Sequence, residues 1–318
     1  MTIRIVIPGD DPPQLQDTPQ LARLAAYGEV ALWRDRPASD EEKIGRARGA
    51  VCLINSRSAV KWPGAVLRQL PELKMITVCG IGTDSIDLAA AQELGIVVCN
   101  IPGQTAPIVA EHALALMFAV ARQAWFQTDL VKRGGWKTGF NLYLRGKTLG
   151  VVGAGPIAAA MIGLGRAVGM RVQAWTFHPT AERAQELGVA FLPLDELLRT
   201  SDVVSVHVKL TDKTHGLIGR HELALMKPGA ILVNTARGAI VDNVALADAL
   251  QAGRLAGAGI DVFDVEPPPA DHPLMQCQQV VLTPHVADQN AEGMEILNRG
   301  AVENVIAFLE GRPQNRVV

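Results

Sequence analysis

The sequence predicts an α/β protein built from two doubly wound parallel sheets. Short apolar runs of strand length alternate with longer mixtures of polar and apolar residues along most of the chain, and this alternation is typical of strand–helix–strand units. With 318 residues, the chain is longer than one hydrophobic core usually requires, so two domains are expected. A glycine-rich turn at 148–158 stands between a strand and a helix, and we expect it at the centre of the larger domain.

The composition favours a small-molecule partner. Hydrophobic residues make up 48% and charged residues 19% of the chain, and the net charge is −2, so no general attraction for nucleic acid or a membrane surface is expected. The first residues lack the apolar stretch of a secretory signal, and no run is long enough to span a bilayer. The four cysteines lie far apart without a C-x-x-C pair. We therefore expect a cytoplasmic protein without disulfides or a metal site.

The first hundred residues predict the smaller domain. Its strand-like runs are IRIVI, GAVCLI, KMITVC and IVVCN, and its helix-like segments include Leu15 to Tyr27 and Ala65 to Leu70. The loops Ser56 to Ser58 and Gly80 to Thr83 follow two of these strands. Because α/β sheets place their ligands at such loops, both are candidate binding segments.

A long apolar segment follows, from Thr105 to Arg122. Because it is apolar around most of its circumference, it predicts a helix that is buried on several sides. Glu111 and His112 interrupt it, which argues against a membrane span. Two explanations for the burial stay open: packing against a second copy of the chain, or burial within one chain.

The stretch TLGVVGAGPIA, from Thr148 to Ala158, has the pattern of a dinucleotide-binding turn. Gly153 would make the tight turn, and Gly155 would let the backbone approach a pyrophosphate. A helix that begins at Pro156, with Ile157 next, would direct its first amides at the anion. An ordinary strand-to-helix turn can show the same pattern, so the prediction depends on its surroundings.

The strands that follow support a Rossmann domain. Counting the first, the runs TLGVV, RVQAW, VVSVHV, AILVN, LAGAGID and VVLTPH give six strands, the number of a full doubly wound dinucleotide domain. This domain would span about 100–287. The last segment, Gln289 to Leu309, has a helical pattern and would pack on either domain.

Polar residues collect directly after the strands of the second domain. In an open parallel sheet, residues past the carboxyl ends of the strands face the ligand. The candidates for contact with a cofactor at these positions are Thr176, Val208, Lys209, Thr235, Ala236, Arg237, Asp261, His285 and Ala287. Each could be an ordinary loop residue, but together they predict a site at one edge of the sheet.

Arg237, Glu266 and His285 suit the reduction of a 2-oxo acid. An arginine fork binds a planar carboxylate at two points and polarises the neighbouring carbonyl. A histidine near neutrality can donate a proton to the developing alkoxide, which contributes roughly a hundredfold to ten-thousandfold in rate. A neighbouring glutamate favours the charged imidazolium, so the three residues predict a catalytic set.

The chain resembles the D-isomer-specific 2-hydroxyacid dehydrogenase family, which includes glyoxylate/hydroxypyruvate reductase-like and phosphoglycerate dehydrogenase-like members. The matching stretches are VCGIGTDSIDLAAAQELGI, VAEHALALM, KTLGVVGAGPIA, MKPGAILVNTARGAIVD, AGAGIDVFDVEP and LTPHVA. The resemblance implies an NAD(P)-dependent oxidoreductase that acts on the CH–OH group of a D-2-hydroxy acid. It also implies a flavodoxin-like substrate-binding domain at 1–99 and 288–318, a Rossmann dinucleotide-binding domain at 100–287, and a homodimer built on the apolar helix.

The resemblance also assigns roles to single residues. Arg237 would anchor the substrate carboxylate, His285 would be the acid and base, and Glu266 would be its partner. The expected substrate-binding residues are Arg57, Gly80, Ile81, Gly82, Arg237 and His285. The remaining histidines are expected to be structural: His112, His178, His207, His215, His221 and His272.

Three departures from the family pattern affect the cofactor site. The acid expected at the end of the second Rossmann strand is absent, because RVQAW is followed by Thr176, Phe177 and His178. NADP is therefore slightly favoured over NAD. Lys209 stands where many relatives have proline, and the run after His285 lacks its usual glycine and ends at Ala287 and Asp288, which would alter the contact with the nicotinamide.

The sequence favours a small unphosphorylated substrate such as glyoxylate, hydroxypyruvate or another short 2-oxo acid. Phosphoglycerate members carry an additional basic residue where Asn55 stands, and no regulatory domain is expected after Val318. Formate dehydrogenase relatives place a glutamine near the histidine, where this chain has Glu266. The alternative to an enzyme is a non-catalytic NAD(P)-sensing protein that uses the same scaffold to bind partners.

Overall fold

The computed structural model describes residues 2–136 and 141–318, which form two compact units. The first unit comprises Met1–Thr105 and Gln289–Val318, and the second comprises Ala106–Asp288. The predicted domains follow the same order along the chain, with their boundaries at 99/100 and 287/288. Both observed boundaries thus fall later in the sequence than the predicted ones.

The first unit contains a five-stranded parallel sheet. Its strands are β1 (Arg4–Ile7), β2 (Glu29–Leu32), β3 (Cys52–Asn55), β4 (Met75–Val78) and β5 (Val97–Cys99). The strand order is β2-β1-β3-β4-β5, which is the flavodoxin-like order. Strands β3 and β4 are buried along their whole length, as expected where helices cover both faces of a parallel sheet.

Helices of the first unit come from both ends of the chain. They include α1 (Pro19–Ala22), α2 (Asp40–Ala47), α3 (Gly64–Leu67), α4 (Leu88–Glu93) and the last helix, α12 (Ala291–Leu309). The segment from Leu15 to Tyr27, predicted to be helix-like, holds only α1 and a 3-10 turn at Arg23–Ala26. Asp17 adopts a left-handed conformation with φ 59°, and a right-handed helix cannot continue through such a residue. Helix α12 packs against β4.

The second unit contains a seven-stranded parallel sheet. Its strands are β6 (Thr148–Val152), β7 (Arg171–Trp175), β8 (Ala190–Phe191), β9 (Val203–Val206), β10 (Ile231–Asn234), β11 (Gly257–Ile260) and β12 (Val280–Leu282). Their order is β12-β11-β10-β9-β6-β7-β8, which contains the doubly wound order of a Rossmann domain. The count of six strands was wrong because β8 is a two-residue edge strand without an apolar run.

Helices cover both faces of the second sheet. They include α5 (Ala106–Arg122), α6 (Ala124–Lys132), α7 (Pro156–Ala167), α8 (Ala181–Leu187), α9 (Leu194–Thr200), α10 (Arg220–Leu225) and α11 (Asn243–Gln251). Helix α5 packs against α7, β10 and β11, so much of its apolar surface is buried within the chain, whereas Phe118 remains exposed. Within residues 2–136 and 141–318, no helix is long and apolar enough to cross a membrane.

Candidate active site

The glycine loop between β6 and α7 forms a cradle. Gly153 has a φ of 128°, and a Cβ there would lie 2.5 Å from the carbonyl oxygen of His207, so only glycine fits. At Gly155, a Cβ would point into open space. Helix α7 begins at Pro156 without a side-chain cap, and its first amides have no intrahelical partners. Open space, small residues and exposed amides fit the pyrophosphate of a dinucleotide.

The predicted cofactor residues lie at the carboxyl edge of the second sheet. Because all strands are parallel, the residues that follow β7, β9, β10 and β11 share this edge. The Thr235 hydroxyl, directly after β10, is buried and has no hydrogen-bond partner among the described residues. A buried hydroxyl without a partner costs free energy, which a bound ligand would recover. The Lys209 side chain is exposed, and its carbonyl accepts a hydrogen bond from Thr214.

Arg237 lies on a tightly fixed loop after β10. The Asn234 side chain accepts a hydrogen bond from the Ala236 amide and donates one to the Arg237 carbonyl. A Cβ at Gly238 would stand 2.0 Å from the carbonyl carbon of Phe263. Glycine at 238 therefore lets the loop contact the segment that leads to Glu266.

His285 and Glu266 form a hydrogen-bonded pair. Nδ1 of His285 lies 2.7 Å from Oε2 of Glu266, and the other carboxylate oxygen accepts the Phe263 amide at 3.0 Å. Burial raises the pKa of Glu266, but the hydrogen bond and charge of His285, the Phe263 amide and the charge of Arg237 together lower the pKa below its ordinary value. The carboxylate is thus ionised near neutral pH, and it fixes Nδ1 as the donor and Nε2 as the nitrogen that exchanges a proton. The structure brings Arg237, Glu266 and His285 together in the second unit.

Asp261 holds the loop that carries His285. Its side chain is 0% exposed, and it accepts hydrogen bonds from the Thr283 hydroxyl at 2.6 Å and from the amides of Val286 and Ala287 at 2.9 and 3.1 Å. Burial raises the pKa of Asp261, but these hydrogen bonds and one from His112 lower it below the ordinary value. A direct contact of Asp261 or Ala287 with a cofactor stays a prediction.

The predicted substrate loops of the first unit lie side by side. The Ser58 hydroxyl donates to the Gly82 carbonyl at 3.3 Å, and the Asn100 side chain donates to the Ile81 carbonyl at 2.8 Å. Arg57 has a φ of 51°, a left-handed conformation that is uncommon outside glycine. Asn55 is buried, and its amide donates to Val60 and Ser85. It therefore stabilises the loop fold.

The His207 ring is hydrogen-bonded to a neighbouring side chain. Its Nε2 lies 2.8 Å from the hydroxyl of Ser205, and burial lowers the pKa of its ring to about 4. The ring is therefore neutral at physiological pH.

Arg183 contacts the glycine loop, and the sequence analysis did not predict this contact. Its guanidinium donates to the carbonyl of Ala154 in the glycine loop at 2.6 Å and pairs with Glu186 at 2.6 Å. The residue lies in the first turn of α8, beyond the positions directly after β7 at which a cofactor-binding arginine is expected. The Thr180 cap before α8 is a sequence signal that could have placed it, since it fixes where the helix starts.

A Rossmann sheet with an open glycine loop, and an imidazole–carboxylate pair beside an arginine at its carboxyl edge, define a dinucleotide-dependent oxidoreductase. Residues 114–287 match the family model "D-isomer specific 2-hydroxyacid dehydrogenase, NAD binding domain". The chain belongs to the D-isomer-specific 2-hydroxyacid dehydrogenase family, which confirms the resemblance in the sequence. Its reaction is accordingly a hydride transfer between a nicotinamide cofactor and a 2-hydroxy or 2-oxo acid.

Similar proteins span most of the chain. It is 39% identical over 308 residues to a glyoxylate reductase of Aeropyrum pernix, with 93% of this chain and 92% of that protein covered. It is 41% identical over 266 residues to a D-3-phosphoglycerate dehydrogenase of Archaeoglobus fulgidus, with 82% of this chain but only 50% of that protein covered. The structure of an acyclic imino acid reductase (Bsp5) in complex with NADPH and D-Arg superimposes with a TM-score of 0.90 at 26% identity, covering 99% of this chain and 100% of that chain.

Proposed function

We propose that this chain reduces glyoxylate, hydroxypyruvate or a similar short, unphosphorylated 2-oxo acid to the corresponding 2-hydroxy acid, with the D configuration wherever that product is chiral. The observation that supports this most directly is the His285–Glu266 hydrogen bond of 2.7 Å, next to a loop that presents Arg237. The similarity to a glyoxylate reductase over nearly the whole length of both proteins supports the substrate class.

Each catalytic residue has a role that its chemistry explains. Arg237 binds the substrate carboxylate at two points and polarises the adjacent carbonyl. His285, in its protonated form, donates a proton from Nε2 to the carbonyl oxygen as negative charge develops there. Glu266 stabilises the imidazolium through Nδ1 and holds the ring orientation. A nicotinamide cofactor bound at the glycine loop supplies the hydride.

The two units divide the work in this proposal. The second unit binds the dinucleotide: Gly153, Gly155 and the first turn of α7 receive the pyrophosphate, and Thr235 offers its unpartnered hydroxyl. The first unit binds substrate through the amides at 80–82 and through Arg57. Because Asn55 is buried and already hydrogen-bonded, it provides no charge for a phosphate group.

We propose that NADPH is preferred over NADH. No carboxylate follows β7 to bind the ribose hydroxyls, since Thr176 occupies that position. Arg183 places a guanidinium at the glycine loop. Its ion pair with Glu186 is partly exposed, with the arginine side chain 34% and the glutamate 66% exposed, so the pair is weak. A 2′-phosphate can therefore compete for the guanidinium.

We also propose a cytoplasmic homodimer. The four cysteines are buried, which agrees with a reducing compartment. Phe118 on α5 and Tyr143 are exposed and line the same surface hollow, and exposed apolar clusters are typical of interfaces. Molecular mass measured in solution tests this assignment.

A substrate panel tests the proposed activity. Turnover of glyoxylate, hydroxypyruvate, pyruvate and 3-phosphohydroxypyruvate is measured with NADH and NADPH in parallel. Arg237→Ala and His285→Ala are expected to abolish turnover while cofactor binding is retained, and Arg220→Ala, an exposed arginine on α10, is the control. Saturation by 3-phosphohydroxypyruvate alone would refute the substrate class. Cofactor binding without turnover of any 2-oxo acid would instead support the sensing protein.

A further inference from the structure

His112 of α5 is hydrogen-bonded to the residues beneath the His285 loop. Its Nε2 lies 3.1 Å from the hydroxyl oxygen of Thr283 and 3.4 Å from Oδ1 of Asp261. The Thr283 hydroxyl donates its single proton to Asp261, so it can only accept from His112. The His112 ring must therefore carry a proton on Nε2, and it acts as a donor.

The acceptor of these bonds is a buried charge. Asp261 is 0% exposed, and the His112 ring beside it is 21% exposed. A buried carboxylate is stable only when donors surround it. The described donors come from two sources: the loop at 283–287, through one hydroxyl and two amides, and α5, through His112. The His112 imidazole thus connects the 283–287 loop to helix α5, which is distant from the loop in the sequence.

His285, within this loop, has an uncommon backbone conformation. Its φ is 54°, a left-handed value that is unfavourable for residues other than glycine. Its amide donates to the carbonyl of Asp261 at 2.7 Å, and the amides of Val286 and Ala287 bind the carboxylate of the same residue. The direction in which the His285 ring points therefore depends on the position of Asp261 and its partners.

We infer that His112 is a positioning residue for the acid/base histidine. Through Thr283 and Asp261, His112 fixes the backbone at 283–287. It thereby keeps the His285 ring in place for its hydrogen bond with Glu266. The expected effect on kcat rests on the proposed function. The effect of His112 on the 283–287 loop does not, because it can be measured without turnover.

Amide hydrogen exchange tests the structural part. His112→Leu fills similar space without a donor, whereas His112→Gln places an amide N–H near the position of Nε2. Thr283→Val and Thr283→Ser form a second pair that leaves His112 in place. The matched control is His221→Leu, an exposed histidine on α10.

We expect the amides of the 283–287 loop to exchange about tenfold faster or more in His112→Leu and Thr283→Val. The glutamine and serine variants and the control should resemble the unmutated protein. Unchanged exchange in both apolar variants would overturn the inference. Should His112→Leu fail to fold, the Thr283 pair decides alone.

The catalytic part is measured on the same proteins. His112→Leu should lower kcat about tenfold to a hundredfold, as small misplacement of a catalytic group does, with little change in KM for the cofactor. His112→Gln should recover most of kcat. An equal loss of kcat in both variants would overturn positioning through the donor, because simple loss of packing would explain it. If the unmutated protein has no turnover, the proposed function fails, whereas the exchange result still decides the role of His112.

Discussion

Replacing Glu266 with glutamine tests whether its charge supports catalysis. The variant keeps the size and one acceptor oxygen of the side chain, but it removes the negative charge 2.7 Å from Nδ1 of His285. The His285 ring then loses the charged partner that holds it in the orientation for proton transfer. We expect kcat for reduction of a 2-oxo acid to fall about tenfold at neutral pH.

The magnitude follows from the strength of the hydrogen bond. A bond with a charged partner contributes about 1.5–3 kcal/mol, and a neutral one contributes about 0.5–1.5 kcal/mol. The His285 and Glu266 side chains are 35% and 37% exposed, so water screens their interaction. We therefore take the difference in free energy between the charged and the neutral hydrogen bond as about 1.4 kcal/mol, which corresponds to about tenfold in rate.

The lowered pKa of Glu266 sets the pH range of the effect. Although burial acts to raise this pKa, the hydrogen bond from His285 and the nearby charges lower it below the ordinary value of 4.5. A carboxyl group of this kind contributes above its ordinary pKa, and the contribution is lost as the pH falls through the lowered value. The ratio of rates between the unmutated protein and the variant should therefore stay constant from about pH 8 to pH 5.

Steady-state absorbance of the reduced nicotinamide, at saturating glyoxylate and NADPH, measures the effect. The control is Glu196→Gln, an exposed glutamate on α9 of the same unit, which should keep the full rate. A kcat of Glu266→Gln within about twofold of the unmutated protein across this pH range would refute the reasoning.

Three further predictions concern the cofactor site and the His285 loop. Arg183→Gln should weaken the affinity for NADPH about fivefold to tenfold and leave the affinity for NADH unchanged, as measured by calorimetry. An equal loss of affinity for both cofactors, or a loss of affinity in the control variant Arg199→Gln, would contradict this. Gly153→Ala should lower the free energy of unfolding by about 1–3 kcal/mol, because φ is positive and a carbonyl lies in the way. Gly155→Ala should instead leave the free energy of unfolding unchanged and reduce the rise in Tm that NADPH produces. A similar loss of stability in both glycine variants would exclude an open cradle. Asp261→Asn should lower the free energy of unfolding by about 1–3 kcal/mol at pH 7, as measured by urea unfolding. The difference in stability from the unmutated protein should shrink as the pH falls below the lowered pKa of Asp261. A difference that does not change with pH would argue against a role for the Asp261 charge.

Most of the fold follows from the sequence because parallel strands are buried on both faces. Such strands are continuous apolar runs, and β3, β4, β9 and β10 are recognisable for that reason. Strands β2 and β8 were not recognised, because EVAL is only half-buried and AF has two residues. An edge strand has no strong apolar pattern in the sequence. It can be identified only from its hydrogen bonds to the neighbouring strand.

The residues that we propose as catalytic could be selected because they follow strands, which a linear sequence shows. The contacts that support them join distant segments. His112 and Thr283 are 171 positions apart, and Arg183 meets Ala154 across 29. Neither pairing has a local pattern: a histidine inside an apolar helix and an arginine in a helix are ordinary residues until the fold brings them to a loop.

Both units fix a strand-end loop on a buried carboxylate. In the first unit, Asp10 follows β1, is 0% exposed, and accepts the amides of Gln14, Leu15 and Gln16 and the hydroxyl of Ser56, the residue before Arg57. In the second unit, Asp261 follows β11 and holds the His285 loop in the same way. Loops lack the repeating hydrogen bonds of helices and strands, so a carboxylate with several acceptor sites can take their place. Because the same bonds fix both backbone and functional side chains, removing such a carboxylate should lower stability and activity together.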